Sequence, residues 1–153
     1  MLPRYHIIIG LILASIFYFI FNTPLILSLV LFFSSFLVDV DHYIYYIFFK
    51  KSLNLIKAYN FFRESEKKWF KMPPEKRERY KRVIVYFHDI IFLSFILILS
   101  LASNVFLFIF IGFLVHLLVD LLEVYYYNEP LYSKTLQIYV YITNKTKKTF
   151  LSP

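Results

Sequence analysis

The chain contains no cysteine and only 2 glycines among its 153 residues. Without cysteine it has no disulfide framework, iron–sulfur cluster or thiolate zinc site. Two glycines are too few for the glycine-rich loops that bind dinucleotides and phosphates in common folds. Charged residues are also scarce at 18%, whereas 59% of residues are hydrophobic, against about 25% and about 45–50% in soluble domains. The composition therefore indicates a small integral membrane protein with a single domain over residues 1–153.

Four apolar stretches are long enough to cross a bilayer, which takes about 20 residues of helix. They cover residues 5–21, 25–49, 83–102 and 105–127. Because the turns within the first pair and within the second pair are very short, each pair is predicted to form an antiparallel hairpin. The predicted fold is an all-α membrane protein with four transmembrane helices in two hairpins.

The basic residues predict the orientation. Of the 17 Lys and Arg residues, one precedes the first stretch, twelve lie in the segment 50–82 and four lie in the tail 128–153. By the positive-inside rule, both termini and the segment 50–82 are expected on the cytoplasmic side of the plasma (inner) membrane. Since topology accounts for most of the net charge of +7, the sequence does not favour nucleic acid as a partner.

The segment 50–82 has aromatic residues at helical spacing among Lys and Glu, up to Pro73 and Pro74. This pattern predicts a cytoplasmic helix lying in the membrane interface and ending before the prolines; the alternative is a solvated linker. In the tail, residues 137–143 alternate as in a strand, although this stretch can equally lie on the membrane.

The few intramembrane polar residues carry the functional signal. All four histidines and all four aspartates lie in or at the edge of the apolar stretches, whereas most glutamates lie outside them: His6, His42, His88, His116, Asp39, Asp41, Asp89 and Asp120. An Asp at the centre of a spanning helix costs about 2.5–3.5 kcal/mol. Such residues are kept where they are paired, hydrated or bound to a cation.

Helix geometry places the His and Asp residues of separate segments at similar depths, ~9–12 Å from the cytoplasmic end of their helices. A group of carboxylates in a low-dielectric site does not stay ionised without a cation. Imidazole and carboxylate together suit Zn, Mn or Fe, as one ion or two bridged ions. The predicted metal ligands are Asp39, Asp41, His42, His88, His116 and Asp120. Asp39 and Asp41 point in different directions on a regular helix, so they reach one centre only if the helix is distorted.

Two residues have a less defined role in this prediction. His6 and Asp89 are secondary candidates, as metal ligand, general base or orienting group. Two other interpretations of the whole set remain open. A His/Asp set can form the pathway of a proton or metal-ion transporter, or a purely structural network between helices.

The order of these motifs resembles the YdjM-type inner-membrane metal-dependent hydrolases. An N-terminal histidine (His6) is followed by Asp-x-Asp-His at residues 39–42, a histidine in the third stretch (His88) and His-x-x-x-Asp at residues 116–120. The resemblance covers residues 1 to about 127 and implies a membrane-bound metal site. It also implies hydrolysis, by metal-activated water, of a phosphoester or lipid at the cytoplasmic face. The expected partners are the bilayer and an anionic lipid or lipid-linked substrate.

Overall fold

The computed structural model describes residues 3–150, and side chains from 4 to 148. This part of the chain is almost entirely helical. Its elements in order are α1 (Pro3–Phe19), α2 (Leu25–Leu37), α3 (Val40–Lys50), α4 (Leu55–Lys71), α5 (Pro74–Arg77), β1 (Tyr80–Lys81), α6 (Ile90–Ser100), α7 (Asn104–Tyr126), α8 (Tyr132–Thr135), α9 (Gln137–Asn144) and β2 (Lys148–Phe150).

The apolar helices form a bundle around α7. Helix α7 packs against α2 and α6, and α1 packs against α2. The centre of this bundle is a cluster of Ala14, Leu31 and Phe108. Two helical stretches, Leu25–Lys50 and Asn104–Tyr126, are long and apolar enough to cross a membrane, whereas α1 and α6 are shorter apolar helices.

Both hairpins contain a break that the sequence pattern did not locate. The predicted stretch 25–49 is interrupted at Val38 and Asp39, between α2 and α3. The prediction of a helix from residue 83 is wrong, because residues 83–89 contain only a short 3-10 turn (Tyr86–His88) before α6 begins. The carboxylate of Asp89 accepts the backbone N–H of Ile91, which is how a helix N-cap fixes the first turn.

The tail stabilises the non-helical backbone before α6. The Gln137 side-chain oxygen accepts the backbone N–H of Val85 at 3.0 Å. The Asn144 amide accepts the N–H of Arg82 at 2.9 Å and donates to its carbonyl at 2.8 Å. Because buried backbone groups need hydrogen-bond partners, these two side chains of α9 replace the bonds that a helix would have supplied.

The helix predicted in the segment 50–82 is present as α4, and it ends at Lys71, before Pro73 and Pro74. It begins at Asn54, whose side chain accepts the N–H of Lys57 at 2.9 Å. Part of its aromatic face packs on the protein itself: the Phe62 ring lies 5.4 Å from the His42 ring. Helix α4 therefore covers the ends of the apolar helices, and its place in a membrane interface stays a prediction.

The tail is helical where a strand pattern was one interpretation. Residues 137–143 lie in α9, so the strand interpretation is wrong. Pairing of strands occurs further along, where β2 lies parallel to β1. We call the layer built from residues 51–82 and 128–150 the cap, because it packs over one end of the apolar bundle.

Candidate metal centre

Six of the sequence-predicted residues meet where the broken helices approach α7 and the cap. We call this group the metal centre: His6 on α1, Asp39 at the break between α2 and α3, His42 on α3, His88 in the 3-10 turn, and His116 and Asp120 on α7. His6, His88, His116 and Asp120 are each at most 2% exposed. The two breaks in the helices thus bring side chains from five segments to one buried point.

The orientation of His116 and His88 is fixed through the Nδ1 atoms of their rings. Nδ1 of His116 donates to the carbonyl of Ser35 at 2.8 Å. Nδ1 of His88 donates to Oδ2 of Asp41 at 3.2 Å. A neutral imidazole that donates through Nδ1 presents a lone pair at Nε2. The two Nε2 atoms lie 3.0 Å apart. With both rings neutral in this tautomer, two lone pairs face each other, and a proton on one ring or a bound metal ion would relieve their repulsion.

Two carboxylates face the same pair of nitrogens. Oδ1 of Asp39 lies 3.5 Å from Nε2 of His88 and 3.6 Å from Nε2 of His116. Oδ2 of Asp120 lies 3.4 Å and 3.8 Å from the same two atoms. Ligands ~2.1 Å from a tetrahedral ion are ~3.4 Å apart. Each carboxylate oxygen therefore lies at a distance from the two nitrogens that suits ligands of one ion.

The structure offers three overlapping sets of ligand atoms, each set lying within 4.8 Å of one another. The sets are His6, Asp39 and His116; Asp39, His42 and His88; and His88, His116 and Asp120. Asp39, His88 and His116 each belong to two sets. A carboxylate shared between neighbouring sets is the arrangement found where one ligand bridges two ions.

Asp41 holds the ligands rather than joining a set. Its Oδ1 lies 2.8 Å from Nδ1 of His42, and its Oδ2 accepts from Nδ1 of His88 and from the backbone N–H of Phe87. A carboxylate bound to the far nitrogen of a ligating histidine fixes its ring and its tautomer. Asp41 was predicted as a ligand, but it contacts the histidines and belongs to none of the three ligand sets. The helix break between α2 and α3 allows Asp39 and Asp41 to contact the same histidines.

The two secondary candidates lie in different surroundings. The His6 ring stacks on His116 with 3.8 Å between centroids, and its Nε2 is 3.3 Å from Oδ1 of Asp120. Asp89 gives one oxygen to the N–H of Ile91 and the other to the N–H of Gln137, both at 2.8 Å. The structure therefore brings His6 into the centre and uses Asp89 to position α6 and α9.

Lys134 is a member of this region that sequence reasoning missed. Its Nζ lies 2.9 Å from Oδ2 of Asp120. Burial opposes the charge on this lysine, but the nearby Asp120 carboxylate outweighs burial and raises the pKa of the ammonium above its usual value. A signal was present, since Lys134 is the only Lys or Arg between residues 83 and 144.

The chain matches no protein-family model, no curated protein and no solved structure. The likeness to the YdjM-type hydrolases therefore remains a hypothesis based on the order of the His and Asp motifs. What the structure adds is a buried His/Asp cluster that can hold a metal ion.

Proposed function

We propose that this chain is a membrane-embedded, metal-dependent hydrolase that cleaves a phosphoester of a lipid or lipid-linked substrate at the cytoplasmic face. The observation that carries the proposal is the convergence of the two buried Nε2 atoms of His88 and His116 on carboxylate oxygens of Asp39 and Asp120. An arrangement of two nitrogens and two carboxylate oxygens suits a transition metal such as Zn, Mn or Fe. The overlapping sets fit one ion or two.

The membrane part of the proposal is supported by the exposed apolar surface. Only 33% of the most apolar window of Leu25–Lys50, and 28% of that of Asn104–Tyr126, is buried within the structure. Soluble monomers rarely expose apolar patches of more than a few hundred Å². Lipid around the bundle would remove this surface from water.

A four-span topology with both termini cytoplasmic extends this proposal. Helix α6 has 11 residues, or ~16 Å of helix, about half of a ~30 Å hydrocarbon core. The non-helical residues before it would complete the crossing. Irregular backbone is tolerated at membrane depth where protein surrounds it, and Val85, His88 and Asp89 are all buried. The twelve Lys and Arg of residues 50–82 would keep the cap in the cytoplasm.

The residues of the centre have separate roles in the proposed hydrolysis. A divalent ion held there would supply Lewis acidity for a phosphoryl oxygen and make water nucleophilic near neutral pH. The water oxygen would form the new bond to phosphorus as the bond from phosphorus to the ester oxygen breaks. His6, whose Nδ1 has no hydrogen-bond partner among the described residues, would take the proton from water and pass it to the leaving ester oxygen. The ammonium of Lys134 would stabilise the developing negative charge.

Metal content and turnover of the purified protein test the proposal together. Wild-type protein in detergent is expected to carry one or two equivalents of a transition metal by mass spectrometry. His116→Ala and Asp120→Asn should lose it, because each removes a donor atom from the converging set. Glu75→Gln, a matched amide substitution at an exposed position of α5, should keep the metal.

Turnover is measured with decyl p-nitrophenyl phosphate, a chromogenic phosphodiester with one alkyl chain. Hydrolysis by the metal-loaded wild type, lost in His116→Ala, supports the proposal. The metal centre is overturned if the purified wild type contains no stoichiometric metal, or if the wild type and both variants contain equal amounts. Metal without hydrolysis of this ester overturns the hydrolase and favours transport or a structural site.

A further inference from the structure

A cavity of about 240 Å³ lies between the cap and the metal centre. Its walls come from α4, from residues 81–85, from the end of α7 and from the start of the tail. Much of the lining is aromatic or aliphatic, as at Phe61, Phe62, Val83 and Val124. Pockets for drug-sized ligands start at about 300 Å³, so this cavity has room for a small head group and the beginning of one chain.

The cavity borders the metal centre at two residues. His42 lines the cavity, and its Nδ1 lies 3.5 Å from Oδ1 of Asp39. Lys134 also lines the cavity while its Nζ lies 2.9 Å from Asp120. A molecule in the cavity would therefore contact the centre directly.

The polar part of the wall contains cations with hydrogen-bonding capacity to spare. The Arg82 side chain is 6% exposed, and its Nη2 donates to Glu78 and Glu129 at 2.9 and 2.8 Å. Its Nε and Nη1 atoms have no acceptor among the described residues. A guanidinium buried with unused donors is a typical partner for a phosphate or carboxylate.

The acidic residues of the same wall are largely neutralised. Glu129 is held by Arg77 and Arg82, with N–O distances of 2.9 and 2.8 Å. For Glu66, burial and the neighbouring Glu123 raise the pKa to about 7. Hence the charge of Glu129 is paired within the protein, and Glu66 is partly protonated near neutral pH.

We propose that this cavity binds the head group of the substrate, and that the substrate is an amphiphile with an anionic phosphate head on an aliphatic chain. Arg82 and Lys134 hold the phosphate next to the metal centre, while the aromatic wall contacts the start of the chain. The remainder of the chain extends into lipid. This inference rests on the proposed function for the reaction, but the binding itself needs no metal.

The single tryptophan of the chain, Trp69, lines the cavity and reports binding directly. The probe is decyl phosphate added to chelator-treated protein in maltoside micelles, followed by tryptophan emission. A saturable change in emission is expected. Decyltrimethylammonium, with the same chain and the opposite charge, should give none.

Two outcomes of this titration overturn the assignment. An equal response to inorganic phosphate identifies a free-phosphate site in place of an amphiphile site. An equal response to the cationic amphiphile shows that the anion is not recognised. Either result leaves the metal content and the turnover described above unchanged, so the two proposals fail separately.

Substitutions connect the binding to the wall. Arg82→Gln is expected to raise the Kd for decyl phosphate by about tenfold or more, the equivalent of one charge-assisted hydrogen bond. Arg79→Gln is the matched control, because Arg79 is exposed and does not line the cavity. A folded Arg82→Gln protein with the wild-type Kd overturns the proposal.

A cavity-filling variant keeps the test valid if Arg82→Gln does not fold. Ser65 lines the cavity, and its buried hydroxyl has no partner among the described residues. Ser65→Leu therefore breaks no hydrogen bond of the described structure and occupies part of the cavity. Loss of decyl phosphate binding with an unchanged circular dichroism spectrum supports the proposal, and unchanged binding contradicts it.

Discussion

Two buried polar clusters lie within the same small protein, and they are built on opposite principles. In the cap, Glu129 accepts from Arg77 and Trp69 through Oε1 and from Arg82 through Oε2. Opposite charges meet there, so the carboxylate is fully used by the protein. In the metal centre, imidazole lone pairs and carboxylates converge on one another. The first cluster pairs its carboxylate with two guanidinium groups, whereas the second gathers ligand atoms that could hold a metal ion.

This difference indicates that one cluster joins parts of the fold and that the other binds a ligand. The cap cluster joins α4, α5 and the tail, because its members come from each of these parts. It stabilises the layer that forms the cavity wall. The metal centre gathers imidazole and carboxylate groups that could hold a metal ion, so binding is the role expected of it.

The largest effect is expected in the cap cluster. Glu129→Gln removes the charge that pairs with Arg77 and Arg82. It leaves the buried Arg77 with no carboxylate partner among the described residues, and Arg82 with only the half-exposed Glu78. Breaking a buried ion pair in this way costs about 3–5 kcal/mol. Unfolding in detergent, followed by circular dichroism at increasing denaturant, measures it.

The matched control for that change is Glu78→Gln. Glu78 also contacts Arg82, at 2.9 Å, but its side chain is 50% exposed, so its loss is expected to cost about 0–1 kcal/mol. If Glu129→Gln is as stable as Glu78→Gln, the two clusters are not different in kind.

Metal removal is the corresponding test of the other cluster. At a free Zn²⁺ concentration 100 times the Kd, binding to the folded state adds about 2.7 kcal/mol to the free energy of unfolding. Chelation should remove this increment from the wild type. It should change nothing in His116→Ala, which has lost the donor common to two of the ligand sets. An equal response of both proteins to chelator would contradict the assignment.

The sequence predicted much of this second cluster because intramembrane His and Asp are rare and costly. The apolar stretches and the helix before Pro73 were also readable from composition and spacing. The break at residues 83–89 was not, since it depends on Gln137 and Asn144, more than 50 residues away. The hydrogen bonds of Asp41 to His88 and Phe87, more than 40 residues away, could not be derived for the same reason. Local patterns do not encode such distant contacts.

The close packing of α7 against α2 provides an intermediate test. A Cβ on Gly112 would lie 2.9 Å from the backbone oxygen of Leu31, and backbone cannot rotate away. Gly112→Ala should cost about 1–3 kcal/mol by overpacking. It should also weaken metal binding, because displacement of α7 separates His116 from the carbonyl of Ser35.

Gly10→Ala is the control for this packing test. There a Cβ meets mainly the Ser35 side chain, and the nearest backbone oxygen, that of Phe32, is 3.5 Å away. The Ser35 hydroxyl can rotate, but the Ser35 Cβ, 2.9 Å from the added methyl group, cannot, so α1 must shift and a loss of stability is expected here too. Because this shift moves α1 and not α7, metal affinity is expected to fall less than in Gly112→Ala. Equal losses of metal affinity at the two glycines would show that the position of α7 does not control the centre.

The smallest change in stability is expected for Glu66, which lines the cavity. Burial and the neighbouring Glu123 raise its pKa to about 7 from an ordinary value of 4.5, while the nearby Lys134 partly opposes the shift. The folded state therefore keeps a proton that the unfolded state has lost, and the free energy of unfolding must fall as the pH rises from about 4.5 to about 7. Because Glu66 is partly exposed, solvent screening keeps this change small. Denaturant unfolding at each pH measures this dependence. Glu66→Gln should reduce the fall in the free energy of unfolding between pH 4.5 and about 7. The control is Glu64→Gln, on the exposed side of α4, which should keep the wild-type dependence. If the stability of Glu66→Gln depends on pH as that of the wild type does, Glu66 does not hold this proton. Glu66 would then be ionised at neutral pH, which disfavours an anionic head group in the cavity.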